Sequence, residues 1–126
     1  MEDIFYLSTK KINVKDINKI AEKVNVKSTF IPKTLDVLEI EYCDGITASW
    51  FNMSLCEFQE PEDEKFLNDN KIEAVFCISH HPRNLKIIMP HIKNVLKEYG
   101  GWIGNDNEKF QPWFNLENIE SFEYQI

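Results

Sequence analysis

The sequence predicts an α+β domain, a two-layer sandwich in which a mostly antiparallel sheet carries two main helices on one face. Short segments of strand character recur along the chain, and two of them flank a turn at Asp44-Gly45. Two longer segments instead repeat apolar residues at helical spacing. The 126 residues fit one domain, 1–126, and an apolar fraction of 43% is sufficient for its core.

The amino-terminal part alternates strand and helix. Ile4 to Ser8 is predicted as a short strand, and Val26 to Ile31 as a second extended segment. Between them, an apolar stripe opposed by lysines predicts an amphipathic helix over 14–24. Asn13 is a typical N-cap for this helix, and Asp16 completes a variant capping box.

Residues 36–56 predict a β-hairpin whose register follows from the residue types. A two-residue loop would set Glu39 against Trp50, whereas a three-residue loop with Gly45 in the left-handed conformation separates polar from apolar pairs. A bulge is expected near Asn52, where the alternation stops. The predicted pairs are Tyr42 with Ile46, Ile40 with Ala48 and Leu38 with Trp50 on the apolar face, and Glu41 with Thr47 and Glu39 with Ser49 on the polar face.

The middle of the chain supplies a central strand and the second main helix. Residues 57–64, EFQEPEDE, are predicted as an acidic loop before a short helix. Ile72 to Ser79 is apolar almost throughout, as expected of a strand covered on both faces. A helix is predicted from Leu85 to Tyr99, with Gly100 as its C-cap and Pro90 as a kink or as the true first turn.

The carboxy-terminal segment is rich in glycine and aromatic residues. It predicts a strand, a turn at 105–107, a further extended piece, a helical turn capped by Asn115, and a last strand from Ile119 to Tyr124. Its aromatic residues form either a lid over the sheet edge or an exposed platform for protein or carbohydrate contact. The lid is favoured, because a small domain needs its aromatic residues inside. They are Trp102, Phe110, Trp113 and Phe114.

Compartment and membrane association follow from composition. The amino-terminal sequence MEDI carries acids where a signal peptide needs basic residues, and the longest apolar run, Ala74 to Ile78, is too short to span a bilayer. Cys43, Cys56 and Cys77 are an odd number set among apolar neighbours, so we expect reduced core thiols. The sequence therefore predicts a cytoplasmic protein with no membrane partner.

Charge is distributed unevenly. The net charge is −7, but residues 1–33 hold seven lysines against four acids, a net +3, which leaves −10 for the rest of the chain. An acidic surface repels phosphate backbones and attracts basic proteins, so we expect a basic protein partner and no nucleic acid. The alternative is that the acidic charge serves solubility.

The sequence around His80-His81 is the only candidate for catalysis. It lies between a buried strand and a helix start, where either histidine is a conceivable general base with Ser79 or Asp106 as its partner. No spacing specifies such a set, so we interpret these histidines as polar loop residues and predict no catalytic residue.

Neither a metal nor a cofactor motif is present. His80, His81, His91 and the cysteines lack the spacing that places ligands on one side of an element. The glycines of 100–104 follow a helix instead of joining a strand to one, and no Gly-Lys-Ser/Thr sequence is present. We therefore expect no metal site and no cofactor.

Acidic side chains are the predicted partner-binding residues. The acids of 57–64 form either a solvated loop or a docking surface that the polar face of the hairpin extends. Trp102 is an alternative anchor, because interface energy often concentrates in aromatic residues. The predicted residues are Glu39, Glu41, Glu57, Glu60, Glu62, Asp63, Glu64, Trp102 and Asp106.

Three stretches of the carboxy-terminal third to half carry a family resemblance: FCIS over 76–79, KEYGGWIGND over 97–106, and FQPWFNLENI over 110–119. With YGGWIGND as their most specific element, they resemble small single-domain immunity proteins of bacterial polymorphic toxin systems. The resemblance implies a non-enzymatic protein that binds and blocks a cognate toxin domain. Acidic immunity proteins commonly oppose nucleases by covering their basic substrate surface. The alternatives are a small hydrolase or transferase using His80 and His81, and a structural or adaptor protein.

Overall fold

A computed structural model describes residues 2–33 and 36–123. Six strands within these residues form one sheet: β1 (Glu2–Ser8), β2 (Ser28–Phe30), β3 (Val37–Cys43), β4 (Ile46–Met53), β5 (Ala74–His80) and β6 (Trp102–Asn105). The α-helices are α1 (Val14–Ala21), α2 (Pro61–Asp69), α3 (Leu85–Tyr99) and α4 (Ile119–Glu123). Single 3-10 turns lie at Leu55–Glu57, Pro82–Asn84 and Glu108–Phe110. The predicted α+β class, with α1 and α3 as its main helices, is confirmed.

The strand order across the sheet is β2-β3-β4-β5-β1-β6, and every neighbouring pair is antiparallel. Strand β1 lies between β5 and β6, so on both sides it pairs with strands that are far from it in sequence. Helices α1 and α3 pack together against the same face of the sheet, where Tyr6, Trp50 and Phe76 are fully buried. Within the described part of the chain, no helix combines the length and apolar character needed to cross a bilayer.

Helix α1 begins as predicted. The Asn13 side chain accepts a hydrogen bond from the Lys15 N–H at 2.8 Å, and Asp16 Oδ2 accepts one from the Asn13 N–H at 2.9 Å. These bonds satisfy backbone donors that the first turn leaves free. The helix ends at Ala21, earlier than predicted, because the Lys23 and Val24 N–H groups bond to carbonyls three residues back and tighten the chain into a turn.

The β3–β4 hairpin has the predicted register over most of its length. Leu38 faces Trp50, Ile40 faces Ala48, and Gly45 has a φ of +75°. The predicted Tyr42–Ile46 pair is wrong: Cys43 lies opposite Ile46, and the ladder shifts between Glu41 and Cys43. The irregularity therefore falls at Tyr42, whose side chain is buried, and not near Asn52 as predicted.

The second face of the sheet is covered only in part. Phe5 and Leu7 of β1 and Val75 of β5 are buried on this face beneath α2 and the turn at Glu108–Phe110. Phe110 packs edge-to-face on Phe5, with ring centroids 5.4 Å apart. Strand β5 is thus covered on both faces over part of its length, as predicted for a central strand, while Cys77 and Ser79 stay half-buried.

Two predicted segments differ from the structure. Half of the acidic loop, from Pro61 onward, is the first turn of α2, where proline suits the first position and carboxylates favour the positive helix end. The strand predicted for Ile119 to Tyr124 is helix α4 as far as residue 123, and Tyr124 lies outside the described residues. Ile119 and Phe122, three residues apart, are both buried, which is helical spacing.

The segment after α3 is shaped by two glycines. Gly100 is the C-cap that the sequence predicts, with a φ of +71° and its N–H bonded to the Leu96 carbonyl at 2.8 Å. Gly101 has a φ of +88°, and a Cβ there would lie 2.1 Å from the Leu7 carbonyl oxygen. Beyond β6 the predicted extended piece is a single bridge, in which Phe114 and Ile103 exchange backbone hydrogen bonds of 2.7 and 2.8 Å.

Candidate protein-interaction surface

Part of the second sheet face is left uncovered by the described elements of the chain. We call it the open face. Every side chain on it is exposed or half-buried. Because directly opposed residues of antiparallel strands project to the same side, the ladders define its members. They are Asp3, Ser28, Phe30, Val37, Glu39, Glu41, Thr47, Ser49, Phe51, Cys77 and Ser79.

One row of side chains crosses five strands of the open face. Phe30 of β2 lies opposite Glu39 of β3, which lies opposite Ser49 of β4. Ser49 lies opposite Ser79 of β5, and Ser79 lies opposite Asp3 of β1. A carboxylate therefore stands near each end of the row, with two hydroxyl groups between them.

The end of the row at Asp3 is the more acidic. The Ser79 hydroxyl donates a hydrogen bond to Asp3 Oδ1. Burial, together with the nearby carboxylates of Asp3 and Asp106, raises the pKa of the Cys77 thiol to about 12. Two carboxylates thus lie close to one thiol, which stays protonated at neutral pH and is a poor nucleophile.

Near the other end of the row, Glu39 is joined by Glu41 of the neighbouring row, and of these two carboxylates only Glu41 is neutralised. Lys27 Nζ lies 3.6 Å from Glu41 Oε2 and also pairs with Asp44. Hydrogen bonding to Asp44 and the charge of Glu41 raise the pKa of Lys27. Within residues 2–33 and 36–123, Glu39, Asp3 and Asp106 form no ion pair.

Two large aromatic side chains on the open face are exposed to solvent. Phe30 is 61% exposed at the sheet edge, and Phe51 is 39% exposed nearer the middle. Phe51 lies opposite Val37 and Cys77, so an apolar row runs beside the acidic one. Exposed aromatic residues beside charged groups are typical of protein interfaces, whose centres are apolar and whose rims are polar.

The predicted partner-binding residues fall into separate places. Glu39 and Glu41 lie on the open face, and Asp106 lies beside it. Trp102 belongs to the aromatic lid and is half-buried. It packs edge-to-face on Trp113, with ring centroids 5.6 Å apart. The remaining five lie in or just before α2: Glu57, Glu60, Glu62, Asp63 and Glu64.

Two of the acidic residues near α2 have local structural partners. Glu57 Oε2 accepts the Ser54 N–H at 2.9 Å and completes a capping box. Asp63 Oδ1 accepts the Lys109 N–H at 2.7 Å, which ties α2 to the turn at Glu108–Phe110. Folding therefore explains much of this acidic cluster without a partner.

Most of the aromatic residues predicted to form a lid are at least partly buried, as the favoured alternative expects. Phe110 and Phe114 are buried, whereas Trp113 remains 36% exposed. Phe114 packs on Phe122 of α4 with ring centroids 5.3 Å apart. The carboxy-terminal aromatic residues thus contribute mainly to the core.

The two vicinal histidines lie in different environments. His80 is buried; its Nδ1 lies 3.2 Å from the His81 carbonyl oxygen, and its Nε2 has no hydrogen-bond partner in the described chain. His81 is exposed and accepts a hydrogen bond from Arg83 Nε at 3.3 Å. Ser79, considered above as a partner, bonds to Asp3 instead. The structure therefore does not assemble the base and partner considered from the sequence.

The residues considered for metal binding are dispersed. His91 is fully buried in the core, with both ring nitrogens hydrogen-bonded. Cys43 and Cys56 are exposed and Cys77 is half-buried, so the prediction of core thiols is wrong for the first two. Cys43 projects outward because Tyr42 occupies the inward position beside it. In the described part of the chain, no three potential ligands are grouped to hold a metal ion.

The open-face residues that contribute an exposed aromatic ring or a further carboxylate were not among the predicted site residues: they are Asp3, Phe30 and Phe51. Phe51 had a usable signal, because the hairpin alternation places it on the polar face with Glu39. Asp3 reaches this face only through the β1–β5 pairing, which sets it opposite Ser79, 76 positions away.

No protein-family model, curated protein or solved structure matches the chain. Function is therefore inferred from the open face and from the carboxy-terminal resemblance.

Proposed function

We propose that this chain is a non-enzymatic protein-binding domain, an immunity protein that neutralises a cognate basic toxin domain by binding it. The supporting observation is the composition of the open face. It combines exposed Phe30 and Phe51 with the carboxylates of Asp3 and Glu39, which have no ion-pair partner in the described residues. The likeness of the carboxy-terminal stretches to immunity proteins supports the same assignment.

The physical basis is complementarity of charge and of apolar surface. A basic toxin domain brings lysine and arginine side chains to unpaired carboxylates, which steers association. Burial of the exposed phenylalanines then contributes most of the affinity, since interface energy concentrates in buried aromatic anchors. A toxin that acts on nucleic acid carries such a basic surface at its substrate site, so covering it blocks the activity. The same acidic face repels nucleic acid itself.

The hydrolase or transferase hypothesis has no comparable support. His80 is buried on the helix-covered side of the sheet, and the exposed His81 is engaged by Arg83. We accordingly expect His81→Ala to leave function intact.

Growth rescue tests the proposed function. A toxin domain captured by pull-down from the native cell is expressed in a bacterial host with the wild-type chain, with Glu39→Lys, or with the control Glu117→Lys. Glu117 is exposed and lies outside the open face, so the control makes the same charge change. Rescue by the wild type and the control, with loss of rescue by Glu39→Lys, is expected. Failure of the wild-type chain to rescue growth contradicts the function.

A further inference from the structure

The open-face carboxylates that form no ion pair within residues 2–33 and 36–123 are held apart at its two ends. Glu39 lies on β3, and Asp3 lies on β1 with Asp106 close by. Strands β4 and β5 separate them and contribute uncharged hydroxyl groups to the same row, those of Ser49 and Ser79.

The ladder fixes the separation between these ends. From Glu39 to Asp3 the row crosses three strand-to-strand steps, through Ser49 and Ser79. Neighbouring strands lie about 4.8 Å apart, so the two carboxylate-bearing positions are separated by about 14 Å. A single cation placed midway would lie about 7 Å from each position, where a solvent-screened attraction is weak.

The middle of the open face offers apolar contact. Phe51 lies on β4, between the strands that carry the two ends, and is 39% exposed. Its neighbours in the row, Val37 and Cys77, are half-buried and uncharged at neutral pH. The face thus carries a carboxylate at each end of one row, and an apolar row centred on Phe51 runs beside the middle of that row.

We propose, on the basis of the function proposed above, that the open face recognises two cationic side chains about 14 Å apart on its partner, with an apolar side chain over Phe51, to one side of the line that joins them. Each cation neutralises one end, and the apolar group removes Phe51 from water. This arrangement selects a partner by the spacing of its basic residues and not by its net charge alone, because a misplaced cation leaves one carboxylate end unpaired.

The preference for this spacing is measured with helical peptides of equal composition that differ only in the distance between two arginines. Two end-capped alanine–glutamine peptides each carry two arginines and one central leucine. In one the arginines are eleven residues apart on the same helix face, about 16 Å along the axis, and in the other they are four residues apart, about 6 Å. The isotope-labelled full chain is titrated with each peptide at low salt and followed by NMR.

We expect the eleven-residue spacing to bind at least fivefold more tightly, shifting the amides around Glu39 and Asp3 together. Asp3→Asn and Glu39→Gln should each remove this advantage, and Glu117→Gln should preserve it. Equal affinities, the absence of binding by both peptides, or shifts centred on the start of α2 overturn the two-cation proposal. Growth rescue by the wild-type chain reports the immunity function separately, so the two failures are distinguishable.

Discussion

At the scale of single residues, His91 links three elements of the core. Its Nε2 lies 3.1 Å from the Ile17 carbonyl oxygen, which can only accept, so Nε2 carries the proton. Its Nδ1 therefore accepts from the Tyr42 hydroxyl at 2.9 Å, and that hydroxyl accepts from Trp50 Nε1 at 3.2 Å. Each polar atom of this buried set has a partner, which removes the cost of burying it.

Lowering the pH should decrease the free energy of unfolding because of His91. Burial lowers the pKa of His91 from 6.5 to about 4. Between these two pH values the unfolded state binds a proton at His91 that the folded state does not. The stability contributed by the neutral, buried imidazole is therefore complete above pH 6.5 and is lost as the pH falls. We expect a loss of about 2 kcal/mol in the free energy of unfolding between pH 7 and pH 5.

Urea unfolding of the wild type, His91→Gln and His81→Gln at both pH values checks this expectation. The wild type and His81→Gln should share the loss, because the exposed His81 is not buried on folding. His91→Gln should lack most of it. An equal loss in all three proteins would assign the pH dependence to other groups.

Two glycines with positive φ should differ in their tolerance of a methyl group. At Gly101 the added Cβ would lie 2.1 Å from the Leu7 carbonyl oxygen in the middle of the sheet, whereas at Gly45 nothing lies within 4 Å. We expect Gly45→Ala to cost about 1 kcal/mol and Gly101→Ala about 3 kcal/mol or more. Thermal or urea unfolding measures both, and equal losses would show that Gly101 is not sterically required.

At the scale of elements, the acids of α2 stabilise their own helix. Asp63 lies in the first turn and accepts the Lys109 N–H, while Glu62 and Glu64 add charge at the same positive helix end. We expect Asp63→Ala to lower the free energy of unfolding by about 1–2 kcal/mol, and Glu62→Ala by a few tenths. Neither substitution should alter partner affinity as strongly as Glu39→Lys. An unchanged stability in Asp63→Ala would remove the structural explanation of this cluster.

Elements with local determinants could be predicted from the sequence. The cap of α1 depends on Asn13 and Asp16, and the register of the β3–β4 hairpin depends on a loop around Gly45. Helix α4 is less predictable than these elements. Its five residues are compatible with strand or helix, and packing on Phe114 determines that they are helical. Tertiary contacts decide such short segments more than local propensity does.

At the scale of the whole molecule, the open face arises from topology. Strand β1 inserts between β5 and β6, which brings Asp3 beside Ser79 and completes the row that begins at Phe30. In sequence, Asp3 belongs to residues 1–33, where lysines dominate and the net charge is positive. Glu39 and Glu41 could be predicted because the hairpin alone fixes their face. Asp3 could not, because its neighbours on the open face come from a distant strand.

The most direct test of the open face as the binding surface is the salt dependence of association with the toxin domain used for growth rescue. Surface plasmon resonance compares the wild type, Asp3→Lys/Glu39→Lys and the control Glu117→Lys/Glu120→Lys, whose charge change is identical but lies outside the open face. We expect the open-face variant to associate at least tenfold more slowly and with a flatter salt dependence, while the control stays within about twofold of the wild type. An equal effect of both double substitutions, or no effect of Asp3→Lys/Glu39→Lys, would contradict the account.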